Sequence, residues 1–135
     1  MVLLEVNDLR TSFFTVAGEV KAVNGISFQL DRGKVLGIVG ESGSGKSVTA
    51  YSIMQILAST GKIVGGSIKL DGEELVNAGE KKMRKVRGNK ISIIFQDPMT
   101  SLNPTHTIGH QLTEAILLHT GKNKKQAKER AVEML

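Results

Sequence analysis

The chain has 135 residues, a net charge of +5 and no cysteine, and 40% of its residues are hydrophobic. This balance predicts a globular domain with its own core, and it excludes disulfides and thiol chemistry. No apolar run approaches the roughly 20 residues that a membrane-spanning helix needs. Glu5 interrupts the apolar N-terminus, so no signal peptide is expected either.

Strand patterns and turns alternate over the first third of the chain. Residues 3–9 and 21–30 predict strands, separated by a loop over residues 11–18. The continuous apolar run at residues 35–39 predicts a buried strand, and residues 47–57 predict a helix. The segment between these last two elements therefore turns a strand into a helix.

That segment matches the phosphate-binding pattern G-x-x-x-x-G-K-S. A strand–loop–helix turn of this kind points backbone N–H groups and a helix N-terminus at one spot, where phosphate is stabilised. Lys46 is expected to bridge the β- and γ-phosphates of a nucleotide, and the Ser47 hydroxyl is expected to bind Mg²⁺. The residues expected to bind nucleotide are Gly40, Glu41, Ser42, Gly43, Ser44, Gly45, Lys46, Ser47 and Val48.

The middle of the chain predicts shorter elements. Gly61 and the pair Gly65-Gly66 are expected to break the chain before a half-exposed strand. A short helix, a buried strand and a polar loop with both prolines are expected to follow. These predicted elements cover residues 67–70, 80–86, 91–95 and 96–104, in that order.

Two helices are predicted at the C-terminal end. Thr107 can cap the first helix, which Gly121 ends. Asn123 can cap the second, with Gln126 at the capping-box position. The pattern of the second helix is still running at Leu135, without a stop signal, so we expect the sequence to be cut there.

Much of the positive charge lies in two runs, residues 81–87 and 122–130. Basic runs can bind nucleic acid or anionic lipid. These two contain no interleaved aromatic residue, and the chain has no tryptophan, which argues against a base-stacking platform. We interpret both runs as solvated helix faces and expect no nucleic-acid partner.

Four segments of the chain together resemble one protein family. They are residues 4–9, 21–28, 37–47 and 94–104, and the last, Ile-Phe-Gln-Asp-Pro-Met-Thr-Ser-Leu-Asn-Pro, is the most specific. Over essentially its whole length the chain resembles the N-terminal part of an ABC-transporter ATPase subunit, in the oligopeptide/dipeptide importer branch. The resemblance implies ATP and Mg²⁺ as cofactors, and ATP hydrolysis coupled to peptide import in the intact protein.

The resemblance implies an α/β fold of the P-loop NTPase type, present here only in part. Residues 1–33 and 62–75 would form an antiparallel β region, residues 34–60 and 88–97 the P-loop core, and residues 105–135 the start of a helical subdomain. The family's Leu-Ser-Gly-Gly signature, its second metal-binding acid with the catalytic Glu, and its switch His do not occur in this sequence. We therefore expect the 135-residue chain alone to be inactive as an ATPase.

The resemblance also assigns roles outside the phosphate loop. Phe13 occupies the place of an aromatic that stacks on adenine, and the adjacent Phe14 is the alternative. Gln96 corresponds to the family's glutamine loop and would hold Mg²⁺ and the attacking water, acting with Lys46 in catalysis. From the residues alone, Asp97 is an alternative Mg²⁺-binding acid, because it follows an apolar run.

The resemblance implies partners as well. Two such subunits would sandwich two ATP molecules head to tail, and their closure would drive transmembrane permease subunits. The chain would then lie at the cytoplasmic face of the cell membrane, as a peripheral protein held there only through its partners. An ATPase for import of a metal or another solute, and a nucleotide-binding module that does not hydrolyse ATP, are the alternatives.

Two further functions have weaker support in the sequence. A GTPase needs an Asn-Lys-x-Asp motif to recognise guanine, whereas residues 89–92 are Asn-Lys-Ile-Ser. A small-molecule kinase needs a lid and an acceptor site, and the sequence shows no pattern for either. His106 and His110 have the i,i+4 spacing of zinc ligands, but no third ligand is evident. We therefore expect neither a guanine site nor a zinc site.

Overall fold

The structure, a computed structural model, describes residues 1–97 and 101–135. The chain forms two compact units, Met1–Met83 and Arg84–Leu135. Pro98, Met99 and Thr100, which belong to the segment carrying the most specific family resemblance, lie outside the described residues.

The first unit is built on a four-stranded antiparallel sheet. Its strands lie in the order β2-β1-β3-β4, with β1 paired to both β2 and β3. The strands predicted at residues 3–9, 21–30 and 67–70 are confirmed, and each is longer than predicted. The observed bounds are β1 (Val2–Thr15), β2 (Gly18–Asp31), β3 (Gly61–Leu70) and β4 (Glu73–Glu74).

The loop predicted over residues 11–18 is wrong, because β1 continues to Thr15. Phe13 pairs with Val20 on one side and with Gly61 on the other, so this stretch has a strand partner at both edges. Aromatic and β-branched residues suit such a position. The connection between β1 and β2 is therefore only the two residues 16–17.

The break predicted at residues 65 and 66 is also wrong, because β3 passes through both glycines. The pairing of β1 with β3 shifts between Asn7 and Arg10, which marks a bulge. Gly66 has a φ of 91°, and a Cβ there would collide with the carbonyl of Asp8. The glycines thus permit a close approach of two backbones rather than ending the strand.

One helix, α1 (Lys46–Met54), packs on the sheet of the first unit. It is shorter than the helix predicted over residues 47–57, because Gln55 adopts a left-handed conformation that ends the helical ladder. The apolar core of this unit comes from the sheet, from α1 and from the chain after β4. Its buried side chains are Leu4, Val6, Leu9, Val23, Ile53, Met54, Ile68, Leu70, Leu75 and Met83.

The two buried strands predicted at residues 35–39 and 91–95 are not present. In the first segment Val35 is 99% exposed, and in the second Ile94 is 97% exposed. Among the described residues the first segment joins no sheet, and the second makes a single isolated bridge, from Ile91 to Arg87. An apolar run becomes a buried strand only where other strands and helices cover it, and this part of the fold supplies no such cover.

Three helices occupy the remaining described chain: α2 (Glu80–Val86), α3 (Ile108–His119) and α4 (Lys124–Glu133). All three match the predicted elements. Ile116 of α3 packs with Ala127 and Ala131 of α4, and Leu112 covers this small core. No helix in the described part of the chain has both the length and the apolar character to cross a membrane.

Both predicted caps of these helices are confirmed. The Thr107 hydroxyl accepts a hydrogen bond from the His110 amide at 3.2 Å. The Asn123 side chain accepts from the Gln126 amide at 2.9 Å, while the Gln126 side chain accepts from the Asn123 amide at 3.1 Å. Side chains of the protein therefore satisfy one amide at the start of α3 and two at the start of α4.

Candidate nucleotide-binding site

The phosphate loop lies in the first unit, between the extended segment after β2 and the start of α1. Gly43 and Gly45 have φ values of 79° and 90°, in the left-handed region that favours glycine. Gly45 also lies against β2, where a Cβ would come within 2.5 Å of the Ala22 carbonyl oxygen. The loop is thus held against the sheet at a position where only glycine fits.

The side chain of Lys46 lies within the curve of this loop. Its ammonium donates to the carbonyl oxygens of Gly40 at 2.6 Å and Glu41 at 2.7 Å, and to the Ser44 hydroxyl at 3.2 Å. The Ser44 amide in turn donates to the Glu41 carbonyl at 3.2 Å. The positive charge is therefore surrounded by residues of the predicted phosphate site.

The N-terminus of α1 favours an anion. Its cap residue, Gly45, provides no side-chain hydrogen bond, and its first turn contains no acidic residue. A helix start of this kind leaves amide donors and a partial positive charge available, and Lys46 adds a full charge. Ser47, in the same turn, is exposed, and its hydroxyl is an oxygen ligand of the type that Mg²⁺ prefers.

Hydroxyl groups that sequence reasoning missed hold this helix in place. Thr49 donates to the Gly45 carbonyl at 2.9 Å, and Ser52 donates to the Val48 carbonyl at 2.7 Å. Ser52 also lies 2.8 Å from the Thr11 hydroxyl of β1, and both groups are buried. The spacing of Thr49 and Ser52, three residues apart on one helix face, is the signal that could have indicated a polar contact.

The two adjacent phenylalanines have different surroundings. The Phe13 ring is half-buried and lies across Gly61, where a Cβ would come within 2.8 Å of its Cε1 atom. Phe14 is 44% exposed, and the Lys62 ammonium lies 5.9 Å from the centre of its ring. Phe14 thus already has a cation on its face, whereas Phe13 rests on a backbone that bears no side chain.

Two further predicted site residues, Gln96 and Asp97, belong to the second unit. Both are exposed and follow the irregular segment at residues 91–95. Residues 40–48, in contrast, form one continuous loop and helix start within the first unit, so these predicted site residues lie close together. The roles of Gln96 and Asp97 stay predictions.

His106 lies just before α3 and His110 lies in its first turn, and among the described residues the two belong to no wider ligand cluster. The rings of His106 and His110 stack with their centroids 4.8 Å apart and their planes 16° from parallel. Across residues 1–97 and 101–135, no group of three or more His, Cys, Asp or Glu side chains is placed to hold a metal. Two imidazoles alone provide too few ligands for a structural zinc site.

Comparison with known proteins gives a family. The sequence profile of the ABC transporter family matches residues 23–135. The chain is 54% identical to the oligopeptide transport ATP-binding protein OppD of Salmonella typhimurium, over 99% of this chain and 40% of that protein. It is 51% identical to the oligopeptide transport ATP-binding protein AppD of Bacillus subtilis, over 98% of this chain and 41% of that protein.

Solved structures agree on the fold. A dimeric bacterial ABC transporter cassette superposes with a TM-score of 0.81 at 20% identity, over 97% of this chain and 55% of that one. A second dimeric cassette structure, described as a post-hydrolysis state bound to ADP and Pi, has the same TM-score, at 21% identity and with the same coverage. These likenesses establish the fold alone.

The chain spans about 40% of the length of the curated relatives that it matches. The family profile, however, covers most of its residues. The phosphate loop, with its left-handed glycines and enclosed lysine, lies within that match. This chain belongs to the ABC transporter family.

Proposed function

We propose that this chain is the nucleotide-binding part of an ATPase subunit that powers peptide import across a membrane. The observation that carries the proposal is the enclosed Lys46 ammonium beside the uncapped N-terminus of α1. The Lys46 ammonium and the N-terminus of α1 then both contribute positive potential at the loop, which suits a chain of phosphates. The names of the oligopeptide-transport relatives support a peptide as the transported solute.

Each predicted residue then has a role with ATP. Lys46 exchanges its loop acceptors for β- and γ-phosphate oxygens, and the amides of the loop bind the remaining oxygens. Phe13 stacks on adenine, with its other side supported by Gly61. Ser47 is the proposed Mg²⁺ ligand of this loop, and the bound ion would neutralise charge on the phosphates.

The partners follow from the same proposal. A second ATPase subunit would complete each ATP site in a head-to-tail dimer. Closure of this dimer would drive a conformational change in transmembrane permease subunits. The protein would then be peripheral, at the cytoplasmic face of the membrane. The dimeric cassettes of the same fold support the first partner, and the relatives' names support a transporter in general.

The proposal is tested by the ATP affinity of Lys46→Ala. Loss of charge-assisted hydrogen bonds worth about 1.5–3 kcal/mol should weaken Mg-ATP binding about ten- to a hundredfold. Titration calorimetry of the 135-residue chain measures this directly. Lys34→Ala is the matched control, because Lys34 is exposed and the variant loses the same charge outside the loop. A folded Lys46→Ala variant with the affinity of the unaltered chain would refute the assignment.

A further inference from the structure

A set of buried hydroxyl groups connects β1 to the first turn of α1. Thr11 and Ser52 are 0% exposed and Thr49 is 3% exposed, although each carries a polar group. Burying a hydroxyl is unfavourable unless it forms a hydrogen bond. All three do so here: Thr49 and Ser52 bond to backbone carbonyls of the first turn of α1 and its cap, and Thr11 bonds to the Ser52 hydroxyl.

The direction of these bonds can be assigned. The Ser52 hydroxyl donates to the Val48 carbonyl at 2.7 Å, and a serine hydroxyl has a single proton to donate. The Thr11 hydroxyl, 2.8 Å from the Ser52 oxygen, is therefore the donor of the pair. The resulting path runs from Thr11 through Ser52 to the Val48 carbonyl.

Both ends of this path lie next to proposed ligand-binding residues. Val48 directly follows Ser47 in the first turn of α1, and Thr49 ties the same turn to the Gly45 carbonyl at 2.9 Å. At the other end, Thr11 precedes Phe13 by two residues on the same strand. The turn that would hold the phosphates and the strand that would hold the base are thus joined by one buried hydrogen bond.

We infer that Thr11 and Ser52 are positioning residues that set the distance between the base-stacking ring and the phosphate loop. This inference rests on the proposed nucleotide site. A ligand that has both a base and phosphates must match both positions at once, whereas a bare phosphate chain needs only the loop. The Thr11–Ser52 bond should therefore contribute more to the binding of ATP than to the binding of inorganic tripolyphosphate.

The experiment compares these two ligands, each with Mg²⁺, in a small set of variants. Thr11→Val removes the donor and keeps the shape of the side chain, and Thr11→Ser restores a hydroxyl. We expect Thr11→Val to weaken ATP binding about three- to tenfold and tripolyphosphate binding less than about twofold. Thr11→Ser should bind ATP within about twofold of the unaltered chain. In a Phe13→Ala background, Thr11→Val should no longer change the ATP affinity.

A second variant guards against loss of folding. Thr11→Val combined with Ser52→Ala removes both partners, so no buried hydroxyl is left without a bond. It should show the same preferential loss of ATP, and thermal melting without ligand checks that each variant is folded. Equal losses for the two ligands, or no loss for either, would overturn the positioning role while leaving the nucleotide site intact. If the unaltered chain binds neither ligand, the proposed function fails and the positioning role fails with it.

Discussion

The helices α1 and α4 begin in opposite ways. At α4 the Asn123 and Gln126 side chains satisfy each other's amides, and the helix start is closed by the protein. At α1 the cap is Gly45, which has no side chain to offer, and a lysine follows it. Side chains thus satisfy amides at the start of α4, whereas the cap of α1 supplies no side-chain acceptor, an arrangement that favours an anion.

The sheet of the first unit offers a third arrangement, in which a carboxylate of the chain plays the part of the anion. Glu74 accepts hydrogen bonds from the amides of Ile68 at 3.1 Å and Val76 at 2.9 Å, and from the Ser67 hydroxyl. Here the donors are permanently filled. When other helix starts and turns of a protein have an internal acceptor for their amides, a helix start without one is a candidate anion-binding site.

The sharpest test of the open helix start is Gly45→Ala. A Cβ would lie 2.5 Å from the Ala22 carbonyl oxygen, so the loop would have to leave the sheet. Strain of about 1–3 kcal/mol and displacement of Lys46 should together weaken ATP binding about a hundredfold. The control is Gly33→Ala, where φ is 69° but no atom lies within 4 Å of the added Cβ. If both variants bind ATP equally well, the contact with β2 does not hold the loop.

The next effect concerns the two aromatic rings of β1. Phe13→Ala should weaken ATP binding about tenfold, since stacking of a base on a ring is worth about 1–3 kcal/mol. GTP binding should fall by a similar factor, because stacking is tolerant of the base. Phe14→Ala serves as the control, and equilibrium titrations with both nucleotides measure the difference. A larger loss from Phe14→Ala would assign the stacking role to the neighbouring ring.

A change of the cap of α4 should affect the stability of the protein and leave its ATP affinity unchanged. Asn123→Ala should lower the free energy of unfolding of the second unit by about 1 kcal/mol, because a helix amide loses its acceptor. ATP affinity should stay unchanged. Chemical denaturation followed by circular dichroism measures the first effect, and calorimetry the second. Asn123→Ser, which keeps a capping oxygen, should recover much of the stability, and failure to do so would count against the cap.

The smallest expected effect is on pH dependence at Glu74. Burial raises the pKa of this carboxyl. The hydrogen bonds from Ser67 and from the amides of Val76, Ile68 and Leu75 together lower the pKa by more than burial raises it, so it lies below its ordinary value of 4.5. A carboxyl whose pKa is lower in the folded state than in the unfolded state stabilises the protein at any pH above its unfolded pKa. This stabilisation is lost as the pH falls through the folded pKa. Thermal melting below about pH 4.5 should therefore show a loss of stability. Glu74→Gln should flatten that dependence, and an unchanged pH profile would contradict it.

Local signals in the sequence predicted local structure well. The caps at Thr107 and Asn123 were identified because the capping side chain and its target amide are three residues apart. The phosphate loop was identified for the same reason, since its glycines and lysine lie within one short segment. The ligand roles of these residues stay predictions.

The errors have a common physical cause, which is dependence on distant neighbours. Residues 35–39 are apolar enough for a buried strand, but burial is decided by the elements that lie beside them. Residues 11–15 look like a loop until their pairing with both β2 and β3 is known. The Thr11–Ser52 bond joins residues 41 positions apart, and no local pattern announces it.

The enclosed lysine has a consequence for the speed of ligand exchange. Because the Lys46 ammonium has three oxygen partners within the loop, its conformation is held by the protein itself. Binding then replaces one set of acceptors by another and orders little new chain, which keeps the entropic cost low. In the proposed site, a loop of this kind should admit a phosphate ligand quickly, because little of the chain has to be ordered on binding.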